Sequence, residues 1–137
     1  FNTFLNFSII DSKYVKSDEP GVEGKEVEFV PKYNIKYGIK FGYKNFTSYL
    51  QYSYLASQFS DSSNSVESNL SGVIGQIPAY DILDLSMNYK LGKIKLETGV
   101  NNILNTSYFT RRATGYPGPG IIPSPPRNYY LTIQYKF

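Results

Sequence analysis

Arg127-Asn-Tyr-Tyr-Leu-Thr-Ile-Gln-Tyr-Lys-Phe137 is the stretch from which the rest of the chain can be read. Tyr129, Leu131, Ile133, Tyr135 and Phe137 fall at one parity, and Asn128, Thr132, Gln134 and Lys136 at the other, with Tyr130 the single exception. Successive side chains of a strand point to opposite faces, so the stretch reads as a strand with one apolar and one wet side. A helix would scatter the same residues around its circumference.

The pattern recurs upstream. In residues 32–44, Tyr33, Ile35, Tyr37, Ile39, Phe41 and Tyr43 alternate without error with Lys32, Asn34, Lys36, Gly38, Lys40, Gly42 and Lys44. Residues 46–54, 80–90 and 94–101 alternate as well, and residues 1–14 do so imperfectly, because Phe4 and Ile10 share a face with Asn2, Asn6 and Ser8. Tight turns fall at Lys44-Asn45 and Leu91-Gly92, and long polar loops at 15–31, 57–79 and 106–126. The connections therefore alternate long and short. Transmembrane barrels keep this rule, with short turns on the periplasmic side and long loops outside. The runs also suit the roughly 9–11 residues of a tilted crossing. The expected fold is all-β: an antiparallel up-and-down transmembrane β-barrel segment of six strands. Tyr33 and Tyr129 would mark the outer rim. Tyr43, Phe46, Tyr89, Tyr135 and Phe137 would mark the inner one, forming the aromatic girdles found at headgroup level.

Composition narrows the function. The 14 Tyr and 9 Phe suit lipid–water boundaries, while a net charge of +3 with dispersed lysines does not argue for nucleic acid. The absence of Cys and His removes thiolate and imidazole metal sites and the Ser-His-Asp triad. Asp81 and Asp84 are three apart on a strand and so cannot act as a carboxylate pair. In residues 115–120 proline interrupts the N–H groups that a phosphate cradle would use. No enzyme, metal site or cofactor is expected. Two other readings fit the alternation: a small complete outer-membrane pore or adhesin barrel, and a soluble ligand-binding β-sheet protein. The latter would leave a broad aromatic face in water with no second layer over it.

Val100-Asn-Asn-Ile-Leu-Asn-Thr-Ser-Tyr-Phe109 resembles the penultimate-strand motif of TonB-dependent outer-membrane receptors. Thr110-Arg-Arg-Ala-Thr-Gly-Tyr-Pro-Gly-Pro-Gly-Ile-Ile-Pro-Ser124, followed by Arg127, resembles the last extracellular loop of their ferric citrate receptor branch. Tyr80-Asp-Ile-Leu-Asp-Leu-Ser86 and Phe29-Val-Pro-Lys32 resemble recurrent barrel segments of the same family. Two positions depart from its pattern: Asn105-Thr106 stands where an acidic–basic pair is common, and Pro126 where a glycine often precedes the arginine. The resemblance implies a barrel of about 22 strands around a plug. Residues 1–137 would be its carboxyl-terminal part, with plug and earlier strands absent. It further implies the outer membrane of a Gram-negative bacterium and a ferric chelate substrate, a siderophore or ferric citrate. The implied partners are outer-membrane lipid and lipopolysaccharide, the TonB complex acting through the plug, and the barrel assembly machinery.

Within that frame Arg111 and Arg112 are the ligand candidates, since guanidinium groups bind carboxylates bidentately. The same groups suit lipopolysaccharide phosphates or loop carboxylates. Lys32, Lys36 and Lys40 share the lumen face, where they would attract an anionic substrate or pair with acidic groups on neighbouring strands or the plug. Gly38, Gly42 and Gly99 would let a plug approach the wall or mark bends. Leu131, Ile133, Tyr135 and Phe137 face lipid and resemble the carboxyl-terminal signal read during barrel assembly.

Overall fold

The computed structural model describes every residue except Pro117. Ten strands follow in chain order: β1 Asn2–Ile9, β2 Tyr33–Tyr43, β3 Phe46–Leu55, β4 Gln58–Phe59, β5 Gln76–Ile77, β6 Tyr80–Leu91, β7 Ile94–Asn101, β8 Phe109–Ala113, β9 Gly120–Pro123 and β10 Asn128–Tyr135. Six of them form one antiparallel sheet in the order β1-β2-β3-β6-β7-β10. Each strand pairs with the next wall strand in sequence, so the sheet is an up-and-down meander. β1 and β10 are paired on one side only. The topology puts the three long loops (residues 10–32, 56–79 and 102–127, here the first, second and third) at one end. Both tight turns lie at the other.

The register explains why alternation was so clean. Directly opposed residues share a face, and the apolar residues line up in rows across the sheet. One row is Ile39–Leu50–Leu85–Val100–Tyr129, and the next but one is Tyr43–Phe46–Tyr89–Leu96–Ile133. The second of these carries Tyr43, Phe46 and Tyr89 of the aromatic girdle expected near the tight turns, while Tyr135 lies one row further on, opposite Ile94. A one-residue slip in any strand would move its apolar set to the wet face, so burial in lipid specifies the pairing. Leu131 and Ile133 stay 68% and 66% exposed, and Leu5, Phe7 and Tyr37 are exposed too. A continuous apolar face of this kind exceeds what a soluble monomer tolerates. Thr98 lies in an apolar row, but its hydroxyl donates to the Tyr130 carbonyl at 2.8 Å and so hides its polarity.

The placement of two aromatic residues on the wet face, Phe4 and Tyr130, has a common cause. Phe4 stands opposite Gly38, and its ring covers the space that a Cβ at Gly38 would enter, 2.1 Å from Phe4 Cε1. Tyr130 stands opposite Gly99 in the same way, 2.6 Å from that site to Tyr130 Cε1. On the wet face each ring therefore lies flat over a neighbouring glycine, a known device for stabilising glycine in sheets. The room expected for a plug at Gly38 and Gly99 is already filled from the wall itself. Gly42 keeps its space, with only the Phe46 carbonyl oxygen at 4.0 Å.

Three features differ from the sequence reading. β1 stops at Ile9 rather than running on to residue 14, because its partner begins only after Pro31, which has no N–H for the ladder. The second tight turn is Gly92-Lys93, one residue later than expected. Leu91 still pairs with Ile94, and Gly92 takes the left-handed φ of 58° that the turn requires. The second and third loops also hold short ribbons of their own, β4–β5 and β8–β9. The few deeply buried side chains lie at this loop end: Val22, Ala56, Gln58, Ile77, Asn102, Arg112 and Ala113. What packing core the chain has is a cap of loops above a lipid-facing wall.

Candidate functional site

The three long loops are tied to one another mostly through polar side chains. Asn64, at φ 54°, accepts from the Glu26 N–H at 2.7 Å and donates to the Glu26 carbonyl at 2.8 Å, as a strand partner would. The Phe29 N–H donates to the Phe59 carbonyl at 2.8 Å, a second link from first loop to second. Ser60 Oγ donates to the Gly75 carbonyl at 2.9 Å, and Asn69 Oδ1 accepts from the Ile74 N–H at 3.2 Å. Serine and asparagine compete well for backbone groups, so a loop rich in them can order itself without a ladder. At Asp61, burial acts to raise the pKa. Hydrogen bonds from Ser63 and Ser65 outweigh it and hold the carboxyl below its ordinary value. At Tyr14 the hydrogen bond to Glu28, then slight burial and nearby negative charge, raises the phenol.

The third loop begins with the Asn-rich motif, and its chemistry is local. Asn102 and Asn105 both take left-handed φ, 54° and 55°, which asparagine tolerates better than most residues. The Asn102 side chain accepts from the Thr106 N–H and donates to the Thr106 carbonyl, both at 2.9 Å. Its own N–H donates to Asp84 Oδ1 at 2.8 Å, and Asn105 Oδ1 accepts from the Arg127 N–H at 3.1 Å. The motif thus folds the exit from β7 back on β6 and ties the start of β10 to the same corner.

The two adjacent arginines have different fates. Arg112 is 7% exposed. Its Nη1 donates to Ser68 Oγ at 3.0 Å and to the Gly72 carbonyl at 2.8 Å, and its Nη2 to the Gln76 carbonyl at 2.8 Å. The guanidinium carbon lies 5.2 Å from the Phe109 ring centroid, which suits a cation–π contact. Arg112 therefore clamps the second loop to the β8–β9 ribbon through both terminal nitrogens, while its Nε is buried without a hydrogen-bond partner. Arg111 is exposed. With Phe29, Thr110, Arg112 and Thr114 it lines a hollow of about 500 Å³ where first and third loops meet.

The lysines are not brought to this hollow. Lys36 and Lys40 lie on the wet face of β2, opposite Asn6 and Ser53 and opposite Asn2 and Tyr49. Lys32 sits at the loop end, its ammonium 6.0 Å from the Tyr33 ring centroid. The two ion pairs among the described residues, Lys13–Asp11 and Lys95–Glu97, include none of these three lysines. Leu131, Ile133 and Tyr135 are exposed on the free edge strand, with Phe137 beyond it against the Tyr135 ring. Sequence reasoning passed over Phe29 and Asn64. A bulky residue or an asparagine in the left-handed region leaves no periodic signal.

Residues 1–103 match the family described as TonB dependent receptor-like, beta-barrel. Among solved structures, the ferric citrate transporter FecA in its unliganded form is similar at 28% identity and a TM-score of 0.77, over 87% of this chain and 18% of that one. The siderophore receptor PiuA from Acinetobacter baumannii has 19% identity and a TM-score of 0.78 over 99% of this chain and 19% of that one. The ferric yersiniabactin uptake receptor FyuA from Yersinia pestis has 16% identity and a TM-score of 0.77 over 98% of this chain and 21% of that one. The last two show the fold. The chain spans about a fifth of the length of these structures.

Proposed function

Because this chain belongs to the family of TonB-dependent receptor β-barrels, we propose that it is the carboxyl-terminal part of an outer-membrane receptor that takes up a ferric chelate. Receptors of this family are transporters of the Gram-negative outer membrane. The observation that carries the reading is a six-stranded lipid-facing wall in a chain that is similar, over 87% of its length, to a ferric citrate transporter at 28% identity. In this reading the plug and the remaining strands lie elsewhere in the receptor. They supply the neighbours that β1 and β10 lack, since an open sheet edge cannot stand in lipid. The TonB complex acts through the plug, and no catalytic step is involved.

Arg111 is the ligand contact in this proposal, and Arg112 holds the loops that present it. The anionic chelate meets Arg111 at the outer end, and Lys36 and Lys40 make the lumen below attractive to negative charge. In the complete receptor, Arg111→Ala should weaken ferric citrate binding about ten- to a hundredfold, the range for one charge-assisted hydrogen-bonded contact. Equilibrium binding of radiolabelled ferric citrate measures this. An unchanged dissociation constant would remove Arg111 from the site, and no iron uptake by the wild type would remove the transport reading.

Leu131, Ile133, Tyr135 and Phe137 are proposed to be read by the assembly machinery before they face lipid. Deleting Phe137 should then lower the amount of assembled barrel more than the transport per assembled barrel. Surface labelling beside uptake separates the two quantities, and equal surface levels for mutant and wild type would sink the idea.

A further inference from the structure

Phe29 holds a left-handed backbone conformation, φ 58°, in which bulky side chains are genuine outliers. Phe29 is 47% exposed, so the ring is no core residue, and its N–H bond to the Phe59 carbonyl would serve asparagine or glycine equally well. Backbone outliers of this kind cluster at ligand-binding and other functional sites. Phe29 also lines the same hollow as Arg111, together with Thr110 and Thr114. Arg112 fixes that wall of the hollow through its three bonds to the second loop.

We infer that this hollow is a two-part subsite, in which Arg111 takes a carboxylate and Phe29 takes an aryl group beside it. The inference rests on the ferric-chelate reading above and deepens it by naming the ligand's chemistry. An aromatic ring prefers a flat apolar partner in offset or edge-on contact. The guanidinium fork matches a carboxylate, and the two threonines add hydroxyls that can donate or accept. A chelate built from aryl carboxylates engages both halves. Ferric citrate has carboxylates and no ring, so it engages the Arg111 half alone. Phe29 is thereby a residue that separates chelate classes.

The test uses the full-length receptor in detergent or vesicles with two probes, radiolabelled iron(III) salicylate and iron(III) citrate. Phe29→Asn should weaken the salicylate complex about five- to tenfold, the scale of one aromatic contact, and the citrate complex less than about twofold. Phe29→Tyr keeps the ring and should retain wild-type affinity for both. Because asparagine accepts the left-handed φ, Phe29→Asn should also raise the protease resistance of the loops. Equal weakening of both probes, or of neither, would overturn the subsite while leaving the Arg111 reading standing. Binding of neither probe by the wild type would overturn the transport reading and the subsite with it.

Discussion

Arg112→Ala is expected to open the loop cap while leaving the strand wall intact. The guanidinium holds Ser68, Gly72 and Gln76 of the second loop from a buried position on β8. Its removal leaves two backbone carbonyls and a hydroxyl without their donors, and it empties the space above Phe109. Each such bond to a charged donor is worth about 1.5–3 kcal/mol, and the bonds are not additive. A total of about 3–5 kcal/mol is reasonable for breaking a buried charged cluster by deleting one partner. That cost falls on a local opening, because the wall makes its own ladder and does not use this contact. Amide exchange at Gly75 and Gln76 should therefore accelerate a hundredfold or more, about tenfold for each 1.4 kcal/mol, with exchange in β3 and β6 unchanged. Arg112→Lys should fail to rescue it, since a single ammonium cannot reproduce the fork that spans Gly72 and Gln76. Unaltered exchange at Gly75 and Gln76 would show that the clamp is not what orders the second loop.

Asn102 should give the largest effect on the wall itself. It is 3% exposed, and its side chain closes a ring of two bonds with the Thr106 backbone. Asn102→Ala loses both bonds and places an alanine at φ 54°. The lost bonds and the stranded Thr106 groups cost about 2–3 kcal/mol, and the left-handed conformation adds about 1–2 kcal/mol for a residue with a Cβ. Asn102→Gly loses the same bonds without that strain. The expected order of stability is wild type, then glycine, then alanine. Urea unfolding of the complete receptor in vesicles reads the order directly. Equal values for glycine and alanine would remove the strain contribution, and two neutral variants would remove the side chain's role altogether.

Why the wall was legible and the loops were not has a physical basis in particular residues. In a lipid-facing strand the solvent differs on the two faces, so parity alone sorts Tyr33 to Tyr43 from Lys32 to Lys44. Phe4 and Tyr130 broke the parity because their explanation sits on the next strand, at Gly38 and Gly99. Sequence distance hides such a pair, and the register reveals it. Arg111 and Arg112 are neighbours with the same chemistry, and nothing local separates them. A register shift in the β8–β9 ribbon between Phe109 and Arg112 breaks simple alternation there, so Arg112 and Ala113 are both buried while Arg111 is not. Bulges re-aim side chains in this way. The conformation of Phe29 was invisible for a similar reason, because its left-handed φ goes with an N–H bond to the distant Phe59 of the second loop.

The amino-acid sequence by itself determined the wall: its six strands, their antiparallel meander, the apolar face and the end at which the long loops gather. Lipid imposes a period of two on such strands, and that period survives in the order of residues. Only the tertiary structure decided which polar side chains in the loops are committed to structure and which stay exposed. Those fates depend on carbonyls and rings contributed by segments far apart in the chain, such as Gly72, Gln76 and Phe59, which meet only when the strands beneath them have paired.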